Sequence, residues 1–325
     1  MKQESLHRNI FKKAIRVFKK NPSILVLGFF AACLGNGGDF DFLVFQFDRI
    51  SNSTFSLKNE IFSFLGTGGN NIFYFFDFTK LTGFLFVFSL LFLIFFVWVI
   101  LSSQGALVLS VAKEDERESF ELKRAFFEGS SKFFHLLFVF FFIKSVSIFL
   151  FLFLVLFFSF LFIYIMPPLY AFAISIFAIG VPVIIFSSLI YRYSISYVMI
   201  ESKTWLESVS AAFKVFFSNW LVSIELSFLL FVLNFLFGFF ILLSVMAVYS
   251  PLLFVEEFFY NKNVFVSEVV YFARAVSSFG ILIFLGSILS TFQYSCVVEL
   301  FLKIRKKKAP SKIMRLASYK KSKRS

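Results

Sequence analysis

Five polar side chains could do chemistry inside an otherwise apolar chain: Gln104, Lys144, Glu225, Asn234 and Gln293 interrupt long runs of Phe, Leu, Ile and Val. An ionisable group at the centre of a bilayer costs about 2.5 to 3.5 kcal/mol on insertion scales, so Lys144 and Glu225 are the first places to look for a proton relay, a gate or a buried pair. Both fall near the expected inner boundary of their apolar runs, where a long side chain can reach water, and that interfacial role is the simpler expectation. Asn234 sits deeper, and its amide is expected to bond a neighbouring helix rather than a substrate. Gln104 and Gln293 belong to a recurring pattern. Ser102-Ser103-Gln104-Gly105, Tyr191-Arg192-Tyr193-Ser194 and Thr291-Phe292-Gln293-Tyr294-Ser295 each place polar residues near the inner end of an apolar run. Either the three converge on one cavity, or they hydrogen-bond between helices and lie among headgroups; the second is the preferred reading.

No arrangement of catalytic type accompanies them. His7 and His135 lie at interfacial positions without a Ser/His/Asp order, an HExxH pair or a P-loop, so no catalytic residue is assigned and an enzyme is not expected. Cys33 and Cys296 have no partner at metal-ligand spacing, and no metal, cofactor or disulfide follows from them. A basic start, an apolar stretch and Phe30-Ala31-Ala32-Cys33 loosely imitate a lipoprotein signal. The basic region is too long and the apolar core too short for that reading to lead.

The elements that must position these residues are transmembrane helices. With 325 residues, 59% hydrophobic, 58 Phe and mean hydropathy +0.86, the chain carries more apolar surface than a soluble domain can hide. Phe inserts into lipid about as favourably as Leu, so the Phe excess reads as lipid-facing filler. An all-α, polytopic membrane protein of about six transmembrane helices in three hairpins is predicted. A first apolar segment over 23–34 is short for a span. The others are placed at 81–102, 145–166 after a split at Lys144, 169–190, 221–248 and 276–300.

A single integral membrane domain over 1–308 is expected, followed by a basic tail at 309–325. Within it, residues 1–20 form an interfacial amphipathic helix, with Leu6, Ile10, Phe11, Ala14, Ile15 and Phe18 on its apolar face. Residues 35–80 read as the largest external loop and 250–275 as a second one. The stretches 112–144 and 191–219 read as cytoplasmic or interfacial, with Trp205, Val209, Ala212, Phe213 and Phe216 buried and Arg192, Lys203 and Lys214 facing water. On this assignment 27 of the 32 Lys and Arg residues lie inside, which places both termini in the cytoplasm. The formal charge of +13 is therefore a topology signal, and no nucleic acid is expected as partner. The partners expected are the lipid bilayer, anionic headgroups at the basic tail, and a protein partner of undefined kind.

One internal repeat is visible. Ala14-Ile15-Arg16-Val17-Phe18-Lys19-Lys20-Asn21 aligns without gaps on Ala212-Phe213-Lys214-Val215-Phe216-Phe217-Ser218-Asn219, and each leads into an apolar run. Ala125-Phe126 to Ser131-Lys132 is a degraded third copy. The chain then reads as three units of elbow helix, span, outer loop and span.

The basic elbows ending at Asn21 and Asn219, Gly35-Asn36-Gly37-Gly38 and Ser103-Gln104-Gly105 together resemble a bacterial multi-pass family, similar to the membrane domain of some glycerophosphodiester phosphodiesterases. The resemblance implies a membrane module without the catalytic barrel of those enzymes, for which the chain has no room, and a bacterial plasma-membrane location. The function expected is that of a non-enzymatic membrane-organising module or accessory subunit. The alternative is a transporter or permease for a small solute or lipid, drawn from the repeat, the Gly/Pro-interrupted spans and the polar residues above.

Overall fold

The computed structural model describes residues 6–35, 80–116, 121–162, 168–260 and 264–306, and among these the secondary structure is helical throughout. Each unit begins with a short elbow helix followed by a pair of longer ones. The first holds α1 (Leu6–Lys20), α2 (Ile24–Gly35) and α3 (Lys80–Glu116). The second holds α4 (Leu122–Ser131), α5 (Phe133–Phe162) and α6 (Pro168–Glu201). The third holds α7 (Trp205–Ser218), α8 (Trp220–Tyr260) and α9 (Val264–Arg305). Five of them, α3, α5, α6, α8 and α9, are long and apolar enough to cross a membrane. The fold is that of a polytopic helical membrane protein built from three hairpins with elbow helices between them.

Local chemistry sets the elbow boundaries. α1 stops where Pro22 cannot continue its hydrogen-bond ladder, and the chain restarts as α2 two residues later. α7 opens with Glu207 accepting the Thr204 backbone N–H at 3.4 Å, which satisfies one of the free donors of the first turn. α6 ends with Ser202 in the left-handed region, φ 54°, and Lys132 supplies the missing partners there. Its ammonium donates to the carbonyls of Val198 and Met199 at 3.0 and 3.3 Å and to Ser202 Oγ at 2.8 Å. Burial holds the Lys132 pKa below its ordinary value.

The elbows also carry the repeat into three dimensions. Ala14, Ala125 and Ala212 occupy the same aligned position and all three are buried. The aligned final residues, Asn21, Lys132 and Asn219, are where all three elbow helices break. On α1 the buried face is Leu6, Ile10, Ala14 and Val17, while Ile15, predicted on that face, is exposed. On α7 it is Ser208, Val209, Ala212 and Phe216, with Trp205 and Phe213 partly covered.

Several predicted boundaries move. Lys144 does not divide its apolar run, because Phe133–Phe162 contains neither Gly nor Pro and forms one helix. The stretch predicted as interfacial over 191–219 divides at Ser202: residues 191–201 belong to α6, with 191–199 buried in the core, and only 205–218 form an elbow. The loop predicted over 250–275 is helical up to Tyr260 and again from Val264, with Pro251 accommodated inside α8. The first apolar segment gives a helix of only 12 residues. That is about 18 Å, against about 30 Å of hydrocarbon. The remainder of the loop predicted over 35–80 and the tail at 309–325 lie outside the described residues.

The second arms α3, α6 and α9 pack against one another, and the first arms α5 and α8 lie outside them, each on its own partner. Burial is concentrated at the end of the bundle where the elbows are. Residues 100–108, 189–199 and 293–302 are continuously buried, as expected of helices enclosed on all sides. Towards the hairpin tips the long helices expose Phe and Leu: Phe92, Phe157, Phe254 and Phe272 are each half or more exposed. Small residues allow the closest approaches. A Cβ on Gly28 of α2 would collide with Thr291 Oγ1 of α9, and one on Gly129 of α4 with the Ser102 carbonyl of α3.

Candidate functional site

The polar motifs at the elbow ends of the second arms meet. Tyr191 on α6 donates its hydroxyl to Gln104 Oε1 on α3 at 2.5 Å, and Gln104 Nε2 donates to the Ala31 carbonyl of α2 at 3.4 Å. One residue further along α6, Arg192 Nη2 donates to Gln293 Oε1 on α9 at 3.0 Å. Gln293 Nε2 then donates to Asn234 Oδ1 on α8 at 2.7 Å. The Arg192 guanidinium also lies over the Tyr294 ring, 4.9 Å from its centroid. Tyr193 and Ser223 pair their hydroxyls at 3.0 Å. This layer joins all three hairpins within a buried cross-section.

The sequence placed these residues unevenly. Gln104, Asn234 and Gln293 are brought together, the last two directly bonded. Arg192 is corrected: expected on a wet face, it is 7% exposed. The available signal was its setting between Tyr191 and Tyr193 in an otherwise Ser- and Ile-rich stretch, which favours enclosure over a water-facing stripe. Glu225 meets His7 of α1 at 3.1 Å, a pairing across 218 residues that no local pattern announces. Lys144 lies partly buried on α5, beside an apolar groove lined by Ile143, Val146, Val183, Ser187 and Phe213. His135 is exposed on the first turn of α5.

A second set of charges fastens the elbows. Lys13 of α1 reaches Glu299, buried in α9, at 3.3 Å. Lys113 at the end of α3 binds Glu128 of α4 at 2.7 Å, and Arg124 reaches the same carboxylate at 3.1 Å. The Lys113 hydrogen bond holds the Glu128 carboxyl below its ordinary pKa. Glu201 accepts from Lys203 at 2.8 Å and Arg305 at 3.3 Å, tying the ends of α6 and α9. Near the tip of the third hairpin, Arg274 meets Glu256 at 2.8 Å and lies over the Tyr249 ring at 4.6 Å.

Among the described residues no group of three His, Cys, Asp or Glu side chains is placed to hold a metal ion. Cys296 is a buried free thiol in α9, and Cys33 falls within α2. What the layer can do chemically is bond helix to helix. Gln104 and Gln293 each bond a residue of the second hairpin, Tyr191 and Arg192, and Asn234 bonds Gln293 within the third, so these amides serve the bundle itself. Compared with protein-family models, curated proteins and solved structures, the chain matches none.

Proposed function

We propose that this chain is a non-enzymatic integral membrane module, a membrane-organising protein or accessory subunit, set in a bacterial plasma membrane with both termini in the cytoplasm. One observation carries the reading: the polar side chains bond helix to helix, Gln104 with Tyr191 and Gln293 with Arg192 between hairpins, and Gln293 with Asn234 within the third. The same polar inventory in a transporter would face a solute path. Its likeness to the membrane domain of some glycerophosphodiester phosphodiesterases supports a module of this kind, and the distribution of Lys and Arg supports the orientation.

The test is native mass spectrometry of the protein drawn from its membrane in nanodiscs. A stoichiometric protein partner is expected. Turnover of a lipid or uptake of a solute by the purified, reconstituted chain would overturn the reading.

A second reading, a transporter or permease for a small solute or lipid, draws on a different observation. Arg192 is a buried charge, and the nearby hydroxyls of Ser102, Ser103 and Ser290 are buried without a hydrogen-bond partner among the described residues. A solute entering the layer would meet these groups. Uptake abolished by Arg192→Leu and Asn234→Leu, with the fold intact, would favour it.

A further inference from the structure

An apolar groove lies between α5 and α6, from Phe142 and Ile190 at its elbow end to Leu150 and Val183, with Phe213 of the α7 elbow in its wall. Its α5 rim is open, Phe142, Val146 and Leu150 being 38 to 44% exposed, while Ile143, Val183 and Ile190 within it are buried. Only Ser147 and Ser187 interrupt the hydrocarbon of the lining, and the Ser187 hydroxyl is donated to the Ile184 carbonyl of its own helix at 3.2 Å. A polar solute would find almost nothing there to bond.

The dimensions narrow the choice of occupant. Phe142 and Leu150 are eight residues apart, about 12 Å along the helix. About 350 Å³ in and in front of the groove is unfilled by protein. Over that length the cross-section is about 30 Å², against about 80 Å² for a helix about 10 Å wide. A helix from a partner or a second copy is too thick to enter, and a single hydrocarbon chain is not. The groove also begins where the inner membrane boundary of these two helices is expected, at Lys144 and Ile190, and its length covers most of the roughly 15 Å of hydrocarbon in one leaflet.

Charge at the elbow end matches a phosphate. Lys144 follows Ile143 of the lining, and Lys214, exposed on α7, follows Phe213. α5 contains no acid, and Glu207, the one acid of α7, is seven residues from Lys214, about 10 Å along the helix. A lysine at this depth can extend its ammonium to the headgroups while its stem stays among apolar side chains.

We propose that this groove is a binding site for one anionic phospholipid, an acyl chain lying between α5 and α6 and the phosphate held at the level of Lys144 and Lys214. The lipid is then a component of the second hairpin, in either reading of the protein's function.

The experiment is native mass spectrometry of the delipidated full chain in detergent, titrated with dioleoyl phosphatidylglycerol and, separately, with dioleoylglycerol, which has the same chains and no phosphate. One phosphatidylglycerol is expected to bind ahead of any further copies, and dioleoylglycerol at least about ten-fold more weakly. Ser147→Phe, which puts a ring into the groove, should lower that first affinity at least ten-fold. Lys214→Gln should lower it about five-fold, the worth of one base close to the headgroups. Lys123→Gln, on the exposed side of the α4 elbow, should leave it unchanged. Equal binding of the two lipids, equal losses at Lys214 and Lys123, or full affinity in Ser147→Phe would each overturn the proposal. So would a protein chain that copurifies with the native protein and is lost in Ser147→Phe. Lys214 and Lys123 are exposed, so the comparison between them holds even where Ser147→Phe fails to fold.

Discussion

Tyr191 and Gln104 show how a polar pair earns its place in an apolar bundle. Each is buried, and each would leave the other unsatisfied if it were removed. Hydrogen bonds between membrane helices are worth about 0.6 kcal/mol on average and about 1.7 at most. Tyr191→Phe is therefore expected to destabilise by about 0.5 to 1.5 kcal/mol, and Gln104→Leu by more, because Gln104 also serves Ala31. Thermal unfolding of both variants and the double variant in one detergent should give a coupling of at least about 0.5 kcal/mol. Additive losses would mean that the bond contributes nothing. Glu128 makes a different prediction. Lys113, and behind it Arg124, holds its carboxyl below the ordinary value, so the folded state binds a proton less readily than the unfolded one. The stability this gives is present above the usual carboxylate range, near pH 4, and is lost as pH falls through the lowered folded value. With a third of the side chain exposed, the effect is small. The Tm difference between the native chain and Glu128→Gln should be positive at neutral pH and shrink towards zero on acidification. The residue identities of the polar layer were legible because Gln and Asn in apolar runs stand out. Its pairings were not: Tyr191 with Gln104 and His7 with Glu225 join residues 87 and 218 positions apart, and sequence spacing carries no information at that range.

At the scale of elements, glycine marks where helices touch and where they do not. Gly129 packs against the backbone of α3, which cannot move aside, and Gly28 against Thr291 and the Ser287 carbonyl of α9. Gly129→Ala and Gly28→Ala should each cost about 1 to 3 kcal/mol through overpacking. Gly238 and Gly280 have nothing within reach of an added Cβ. Alanine there should be neutral or stabilise by up to about 1 kcal/mol, since glycine is the poorer helix former. Unfolding of the four variants separates the two classes, and equal losses in all four would contradict this packing. The elbows were legible at this scale, since Ala14 and Ala212 sit on an amphipathic pattern that ends at Asn in both copies. The interruption assigned to Lys144 was not, because one charge in a run without Gly or Pro has no means of ending a helix. The helical course of 250–275 was hidden for the same reason in reverse. Its acids and Pro251 look like a loop, yet the two arms enclose Arg274 with Glu256 and Tyr249 and remain helical around them.

The whole molecule divides along its length rather than into domains. At the elbow end, α3, α6 and α9 share a buried polar layer and three elbows clasp them; beyond it, among the described residues, the arms of the second and third hairpins pack mainly on one another. Val155 and Ile176 form a separate small cluster inside the second hairpin, apart from the main core. The third hairpin is also longer, 41 and 42 residues against 30 and 34 in the second. At 1.5 Å per residue its arms extend about 12 to 16 Å further. Lipid does not drive apolar helices together, so the tip halves have no hydrophobic reason to close on one another, whereas the elbow ends are bonded. Spin labels test the consequence. With Cys33 and Cys296 replaced by Ala, labels at Lys123 and Lys214, exposed on the elbows of the second and third units, should give a narrow distance distribution. Labels at Phe157 and Phe254, exposed on the corresponding hairpins, should give a broad one that shifts with bilayer thickness. Equal widths at both ends would mean that something not bonded in this layer, a partner helix or tightly held lipid, fixes the tips as firmly as Gln104, Arg192 and Gln293 fix the base.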